Sequence, residues 1–206
     1  MLVTLLSATP PKVVVKAIRM CHDSFDKIDS DDCIIGPNDA HLIKKIIISK
    51  GHESVSEHCS FVWEIEGLSE YAHVHLIRHR IGVSFSVQST RYTLVKRFLK
   101  SDEPAENFIT DTHNEELMEA TKEYMEKIRR IYNDSDKKID NDIINQHIPR
   151  IYKLNMIVTF NIRSMRHFIK LRTSNAAHYE IRDLANEMLG ILNNSEYKIF
   201  FEDLGG

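Results

Sequence analysis

Glycine and proline are scarce, seven and five in 206 residues. That leaves no room for a long linker, a low-complexity tract or a collagen-like repeat. Cysteine is scarcer still. Cys21, Cys33 and Cys59 are odd in number, far apart and never in a C-x-x-C pair, which argues against a disulfide framework or a zinc knuckle. Cys21 and Cys59 fall within apolar patterns and are expected to pack as small hydrophobes. No apolar run approaches the ~18–20 residues of a bilayer crossing, and no charged stretch followed by a signal-like apolar core opens the sequence, so a cytoplasmic protein with no membrane partner is expected. Basic residues do not dominate. Against 30 Asp and Glu there are 27 Lys and Arg, a net charge of -3, which argues against a general nucleic-acid binder but leaves local basic pockets open.

Several motifs are absent as well. There is no G-x-G-x-x-G and no G-x-x-x-x-G-K-[ST], hence no Rossmann fingerprint and no P-loop. His52-Glu53 and Glu57-His58 both fail the H-E-x-x-H spacing. His75 and His79 lie four apart on a predicted helix, but Arg78 and Arg80 flank His79 and would oppose a further cation, so no metal is expected.

What is present suits one packed domain over residues 1–206, with 42% hydrophobic and 28% charged residues. Leu2–Leu6 reads as a short strand. Val14, Ala17, Ile18 and Cys21 recur at helical spacing, as do Ile43, Ile46 and Ile47 before a capping Gly51. Cys59–Gly67 alternates, with Phe61, Trp63 and Ile65 on one face, as a half-buried strand does. Ser69 can cap a helix through Tyr71, Val74, His75 and Arg78. The Ser-rich stretch Ile81–Ser89 has no helical period and reads as a loop. A long helix is expected over about Asn114–Asp134, with Leu117, Thr121, Tyr124, Met125, Ile128, Ile131 and Tyr132 on one stripe. Leu154, Met156, Val158 and Phe160 alternate as a strand, Asn161 caps a helix through Arg172, and a last helix carries Ile181, Leu184, Ala185, Met188, Leu189 and Leu192. Few strands separated by many helices predict an α+β class, with helices around a small mixed or antiparallel sheet.

Two arrays of donors stand out. Arg78-His79-Arg80 is followed by a hydroxyl-rich segment, Ser84 to Thr90, that closes on Arg91-Tyr92. Guanidinium forks match phosphate oxygens bidentately, and Ser, Gln and backbone amides can hold a sugar or phosphate. The plain alternative is a solvated basic helix end. The second array is Asn161, Arg163, His167 and Arg172. Arg163 and His167 share a helix face, while Arg172 continues the apolar stripe of Met165, Phe168 and Ile169. An arginine aimed inward needs a partner, and no acidic residue nearby in sequence is its obvious mate. An anionic ligand and the carbonyls of the helix end are the two candidates.

These segments resemble the flavin-dependent thymidylate synthases, almost end to end. Leu5-Leu6-Ser7-Ala8-Thr9-Pro10 is similar to the family's opening strand and turn, and Gly51-His52-Glu53-Ser54 with Glu57-His58 to the stretch before its signature. Arg78-His79-Arg80 through Ser89 and Arg91-Tyr92 resembles the signature itself. Asn161-x-Arg163-Ser164 through His167-Phe168 and Leu171-Arg172, then Glu180-Ile181-Arg182, resembles the C-terminal signature, and Phe200-x-x-Asp203-Leu204-Gly205 the close. The resemblance implies a homotetramer with active sites at subunit interfaces, where residues of the two arrays meet across the boundary. It also implies FAD as cofactor and dUMP, NADPH and 5,10-methylenetetrahydrofolate as substrates. Ser54, Arg78, His79, Arg80, Asn161, Arg163 and His167 match FAD-binding positions. His75, Arg78, Gln88, Ser89, Thr90, Arg91 and Arg172 match positions around dUMP, and Val87 stands near both through its backbone.

The sequence departs from the family pattern in three places. Eight residues, Ile81 to Gln88, separate Arg80 from Ser89 where seven are usual. Asn145 stands where an Arg often contacts substrate phosphate. His75 and His178 stand where Gln is usual. The motif of the cysteine-dependent route to C5 methylation is absent, and the resemblance implies the flavin-mediated route, with Arg172 as the catalytic cation at uracil N3 and O4. Two rival readings follow: flavin- and folate-dependent C5 modification of another pyrimidine nucleotide, and a flavin- or nucleic-acid-binding protein without turnover.

Overall fold

The structure is a computed structural model that describes residues 1–29 and 34–204; Cys33 and Gly205 lie outside the described residues. Four strands, β1 (Leu2–Ala8), β2 (Ser60–Ser69), β3 (Val83–Val87) and β4 (Lys153–Asn161), form one sheet in the order β1-β2-β4-β3. The helices are α1 (Lys12–Cys21), α2 (Pro37–Ile43), α3 (Glu70–Leu76), α4 (Thr90–Leu94), α5 (Glu115–Asp134), α6 (Asn141–Asn145), α7 (Ile162–Arg172) and α8 (Tyr179–Asn193). The class is α+β, as the sequence predicts.

Neighbouring strands run antiparallel. As β3 advances from Gly82 to Gln88, its partner recedes from Asn161 to Asn155: Asn161 N donates to Gly82 O at 3.0 Å and Gln88 N to Asn155 O at 2.9 Å. Likewise Ile162 N bonds Cys59 O at 2.9 Å and Glu70 N bonds Tyr152 O at 3.0 Å, at opposite ends of the β2–β4 pair. Ile81–Ser89 is therefore not the loop that its composition suggests. Its five central residues are an edge strand, because pairing with β4 satisfies backbone groups that serine side chains alone would not.

The chain divides into two compact units. One comprises Met1–Leu2, Ile65–His75 and Ser86–Met156; the other comprises Val3–Glu64, Leu76–Phe85 and Ile157–Gly206. In the second, Phe61, Trp63, Phe160, Phe168, Phe200 and Phe201 are fully buried with Val14, Val15 and Ile18 of α1. Each such side chain contributes roughly 1.5–3 kcal/mol through removal from water. In the first unit the core is Leu94, Phe98, Phe108, Met125, Ile128 and Tyr152.

Caps follow the sequence where the residue types demand it. Ser69 Oγ accepts from Ala72 N at 3.0 Å, Asn114 Oδ1 from Leu117 N at 3.0 Å and Asn161 Oδ1 from Ser164 N at 2.9 Å. Three expectations are corrected. Cys21, at the end of α1, is exposed rather than packed, whereas Cys59 is buried. The helix after Ser69 stops at Leu76, short of Arg78. On α5 only Met125 and Ile128 are buried; Leu117, Tyr124 and Ile131 are 61%, 43% and 51% exposed. Among the described residues no helix is long and apolar enough to cross a membrane.

Candidate active site

The site begins where α3 ends. Leu76 is fully buried, His79 N bonds back to Leu76 O at 3.1 Å, and Arg78-His79-Arg80 passes through a turn rather than a helix end. Gly82 then takes φ +66°, which an L side chain rarely adopts. A Cβ there would lie 2.6 Å from Ser164 Oγ and would also strike the Asn161 amide. The close approach lets Ser164 Oγ donate to the Ile81 carbonyl, so the end of the first array is strapped to the first turn of α7. These parts of the two arrays, expected to meet across a subunit boundary, meet within one chain.

Together they enclose a cavity of about 870 Å³ lined by Glu53, Arg78, His79, Arg80, Ile81, Arg163, Ser164, His167, Leu171 and Arg172. Ile81 is 84% and Leu171 47% exposed, so apolar side chains share the lining with four guanidinium groups. Asn161 anchors its edge as the α7 cap. Ser54 lies in the 3₁₀ segment Glu53–His58 and is exposed, but it is not among the lining residues.

Buried His79 is the hub of the electrostatics. Burial first, then the charge of Arg172 and the neighbouring His167, lowers its pKa to about 4. The imidazole is neutral at pH 7, and its Nε2 accepts from Arg172 Nε at 3.1 Å, which puts the ring proton on Nδ1. Its ring also meets Phe168 edge-on at 5.1 Å. Arg172, the last residue of α7, is half-buried, and burial and then Arg78 lower its pKa. A shared anion would relieve both guanidinium groups. An NMR titration is expected to find His79 changing charge near pH 4. Because the unfolded state takes up its proton near pH 6.5, this histidine's contribution to stability is complete above that value and is lost as pH falls toward 4. A midpoint near 6.5 would contradict the buried, Arg172-facing ring.

Arg163 is held by acids that the sequence reading overlooked. Its Nη1 donates to Glu57 Oε1 at 2.5 Å and its Nε lies 3.7 Å from Glu53 Oε2, while Glu53 Oε1 lies 3.5 Å from Arg166 Nε. The carboxylates, Glu57 foremost, raise the Arg163 pKa. Glu53 and Glu57 lie four apart in sequence, a spacing that gives no sign of an arginine partner on α7. Among the described residues no group of three or more His, Cys, Asp or Glu is arranged to hold a metal ion.

The other predicted residues belong to the first unit and form a group of their own. Gln88 is occupied: its Oε1 accepts from Arg97 Nη1 at 2.5 Å and Asn155 N at 3.2 Å, and its Nε2 donates to Thr93 Oγ1 at 3.0 Å. It positions the turn into α4, where Ser89 is the cap residue and Thr90 the first helical one. Arg91 Nε pairs with Asp142 of α6 at 2.8 Å, and α6 ends at half-buried Asn145. Val87 closes β3. His75 meets the Tyr71 ring at 5.3 Å, and the Arg150 guanidinium lies over that ring at 4.8 Å.

Comparison with known proteins decides the family. The model of the thymidylate synthase complementing protein family (Thy1) matches residues 4–195. The chain belongs to the flavin-dependent thymidylate synthases. The enzyme of Campylobacter jejuni with that name is 36% identical over 98% of this chain and 96% of its own length. That of Helicobacter pylori is 35% identical over 95% and 94%. A crystal structure of the Helicobacter pylori flavin-dependent thymidylate synthase ThyX, complexed with FAD and dUMP, superposes with a TM-score of 0.87 at 33% identity, covering 100% of both chains. The antiparallel four-stranded sheet with its helices is thus the synthase fold, and the resemblance of the two signatures extends to the whole architecture.

Proposed function

We propose that this synthase makes dTMP from dUMP by FAD-dependent reductive methylation, with 5,10-methylenetetrahydrofolate as carbon donor and NADPH as reductant. The observation that carries the reading is the crowding of Arg78, Arg80, Arg163 and Arg172 around one cavity that also offers apolar Ile81 and Leu171. A flavin dinucleotide fits such a lining, since guanidinium forks suit a diphosphate and apolar walls suit a planar ring. When bound, FAD supplies hydride transfer and mediates one-carbon transfer to C5.

The chain's own part is binding, orientation and electrostatics. Arg163 and His167, on one face of α7, with Asn161, Ser54, Arg78, His79 and Arg80, are read as the cofactor side. Arg172, Arg78, Gln88, Ser89, Thr90, Arg91, His75 and Asn145 are read as the dUMP side, with Val87 contributing backbone to both. Neutral His79 accepts from Arg172 Nε and so orients the guanidinium, which is read as the group at uracil N3 and O4. A cation there favours the electron-rich, deprotonated ring. No thiolate is needed. Cys59 donates to Thr9 O at 3.1 Å, and burial pushes its thiol up to about 12.

We read residues 1–206 as one synthase domain, because each compact unit is built from three separated stretches and no single cut frees either. We read the enzyme as a cytoplasmic homotetramer with sites at subunit interfaces. Incubation of the flavin-loaded protein with dUMP, methylenetetrahydrofolate and NADPH should yield dTMP. If dUMP is inert and another pyrimidine nucleotide is modified at C5, the substrate reading fails, and Asn145 with the longer β3 segment is where the difference lies.

Arg163→Ala and His167→Ala should each purify with less flavin. Loss of a hydrogen-bond donor to a charged ligand weakens binding by roughly tenfold or more, and in the Arg163 variant Glu57, left without its partner, adds repulsion. Titration of apoprotein with FAD checks this; unchanged affinity in both variants would remove them from the cofactor side.

A further inference from the structure

We propose that the outward face of α5 is a self-association surface, on which a second copy of this chain lays its own α5 antiparallel across a twofold axis near Tyr124. The proposal rests on the homotetramer reading and names one of its contacts. Leu117, Tyr124 and Ile131 are exposed and fall seven residues apart, the spacing of a helix–helix seam. They span about 21 Å of the helix at 1.5 Å per residue. At the centre of this face Ala120 and Tyr124 border an open groove of about 840 Å³, lined otherwise by charged residues between Glu119 and Arg130. The helix is formed in advance, with its first turn capped by Asn114, so pairing would order little chain.

Charge selects the occupant. Glu116 and Glu123 flank the seam toward its N-terminal end, and Lys127 and Arg130 toward its C-terminal end. All four are exposed and none has an ion-pair partner among the described residues. A parallel copy would set acid on acid and base on base. An antiparallel copy centred on Tyr124 sets Glu116 near Arg130 and Glu123 near Lys127, each within about 3 Å along the axis of lying directly opposite. The same register stacks Leu117 on Ile131, and a twofold repeats every contact. Such self-complementarity describes a second copy of this helix.

The experiment is light scattering of the FAD-loaded full chain. The parent should be a tetramer. Glu116→Lys with Glu123→Lys, and separately Lys127→Glu with Arg130→Glu, should associate about tenfold more weakly or worse and fall to a smaller species. Reversing all four should restore the parent state. In a background with Cys21→Ser and Cys33→Ser, Tyr124→Cys should form a disulfide-linked dimer under a mild oxidant, because the two 124 positions face each other. Double variants that keep the parent tetramer, a fourfold reversal that fails to restore it, or no cross-link would overturn the α5 contact and leave the tetramer reading standing. A monomeric parent would overturn both.

Discussion

Arg172→Lys is expected to fold, retain FAD and be reduced by NADPH, yet to form dTMP about 10²–10³-fold more slowly at saturating dUMP, the usual loss when one preorganised donor is removed. The geometry explains why a like charge does not suffice. Arg172 uses Nε on His79 at 3.1 Å and keeps two terminal nitrogens in a fixed plane, whereas a lysine has one nitrogen and no plane to hold against the imidazole. Burial and Arg78 already press on this guanidinium, so it gains most where negative charge develops in the transition state. Single-turnover and steady-state rates should fall together while KM for dUMP moves less. A variant whose saturated rate stays near the parent's would make Arg172 a ground-state binding or structural residue and remove ring activation from the mechanism.

Asp203→Ala is expected to cost about 2–3 kcal/mol of stability, at the low end for a broken buried pair because Asp203 is partly exposed and Glu53 still faces the cation. Arg166 is 10% exposed at its side chain, and it meets Asp203 bidentately, Nη1 to Oδ1 and Nη2 to Oδ2, both at 2.7 Å, while also donating to the Phe200 carbonyl. Removing the carboxylate leaves a guanidinium charge in the core beside Phe200 and Phe201. In a chain of this length the loss should lower Tm by about 5–10 °C in a thermal melt. Arg166 holds the Asp203 carboxyl below the ordinary range. The pair's contribution is therefore complete above about pH 4, the unfolded carboxylate's pKa, and is lost as pH falls further through the folded value. The variant should lack that part of the acid transition. A melt indistinguishable from the parent's would show that the C-terminal segment is held by its aromatic packing alone.

What could be read without the fold was whatever depends on neighbours in sequence. Phe61, Trp63 and Ile65 alternate because a strand has a period of two, and they are all fully buried in β2. Asn114 and Asn161 cap their helices because a short amide side chain reaches a backbone N–H three residues on. Arg163 and His167 share a face of α7 for the same local reason. The family was likewise legible, since both signatures are contiguous runs of residues.

Tertiary structure decided everything that required a distant partner. The Ser-rich segment before Ser89 became β3 because β4 offered it a ladder. Leu117, Tyr124 and Ile131 stayed exposed because the core of their unit takes only the Met125 and Ile128 side of α5. Gly82 lets Ile81 approach Ser164 and so brings together arrays far apart in the chain. Arg163 found Glu57 and Glu53, and Arg166 found Asp203. Arg172, an arginine on an apolar stripe, found a neutral histidine 93 residues away in sequence. Periodicity carries no information about such pairings, because a hydrogen bond or ion pair depends on distance in space, and distance in space is set only once the sheet and helices have packed.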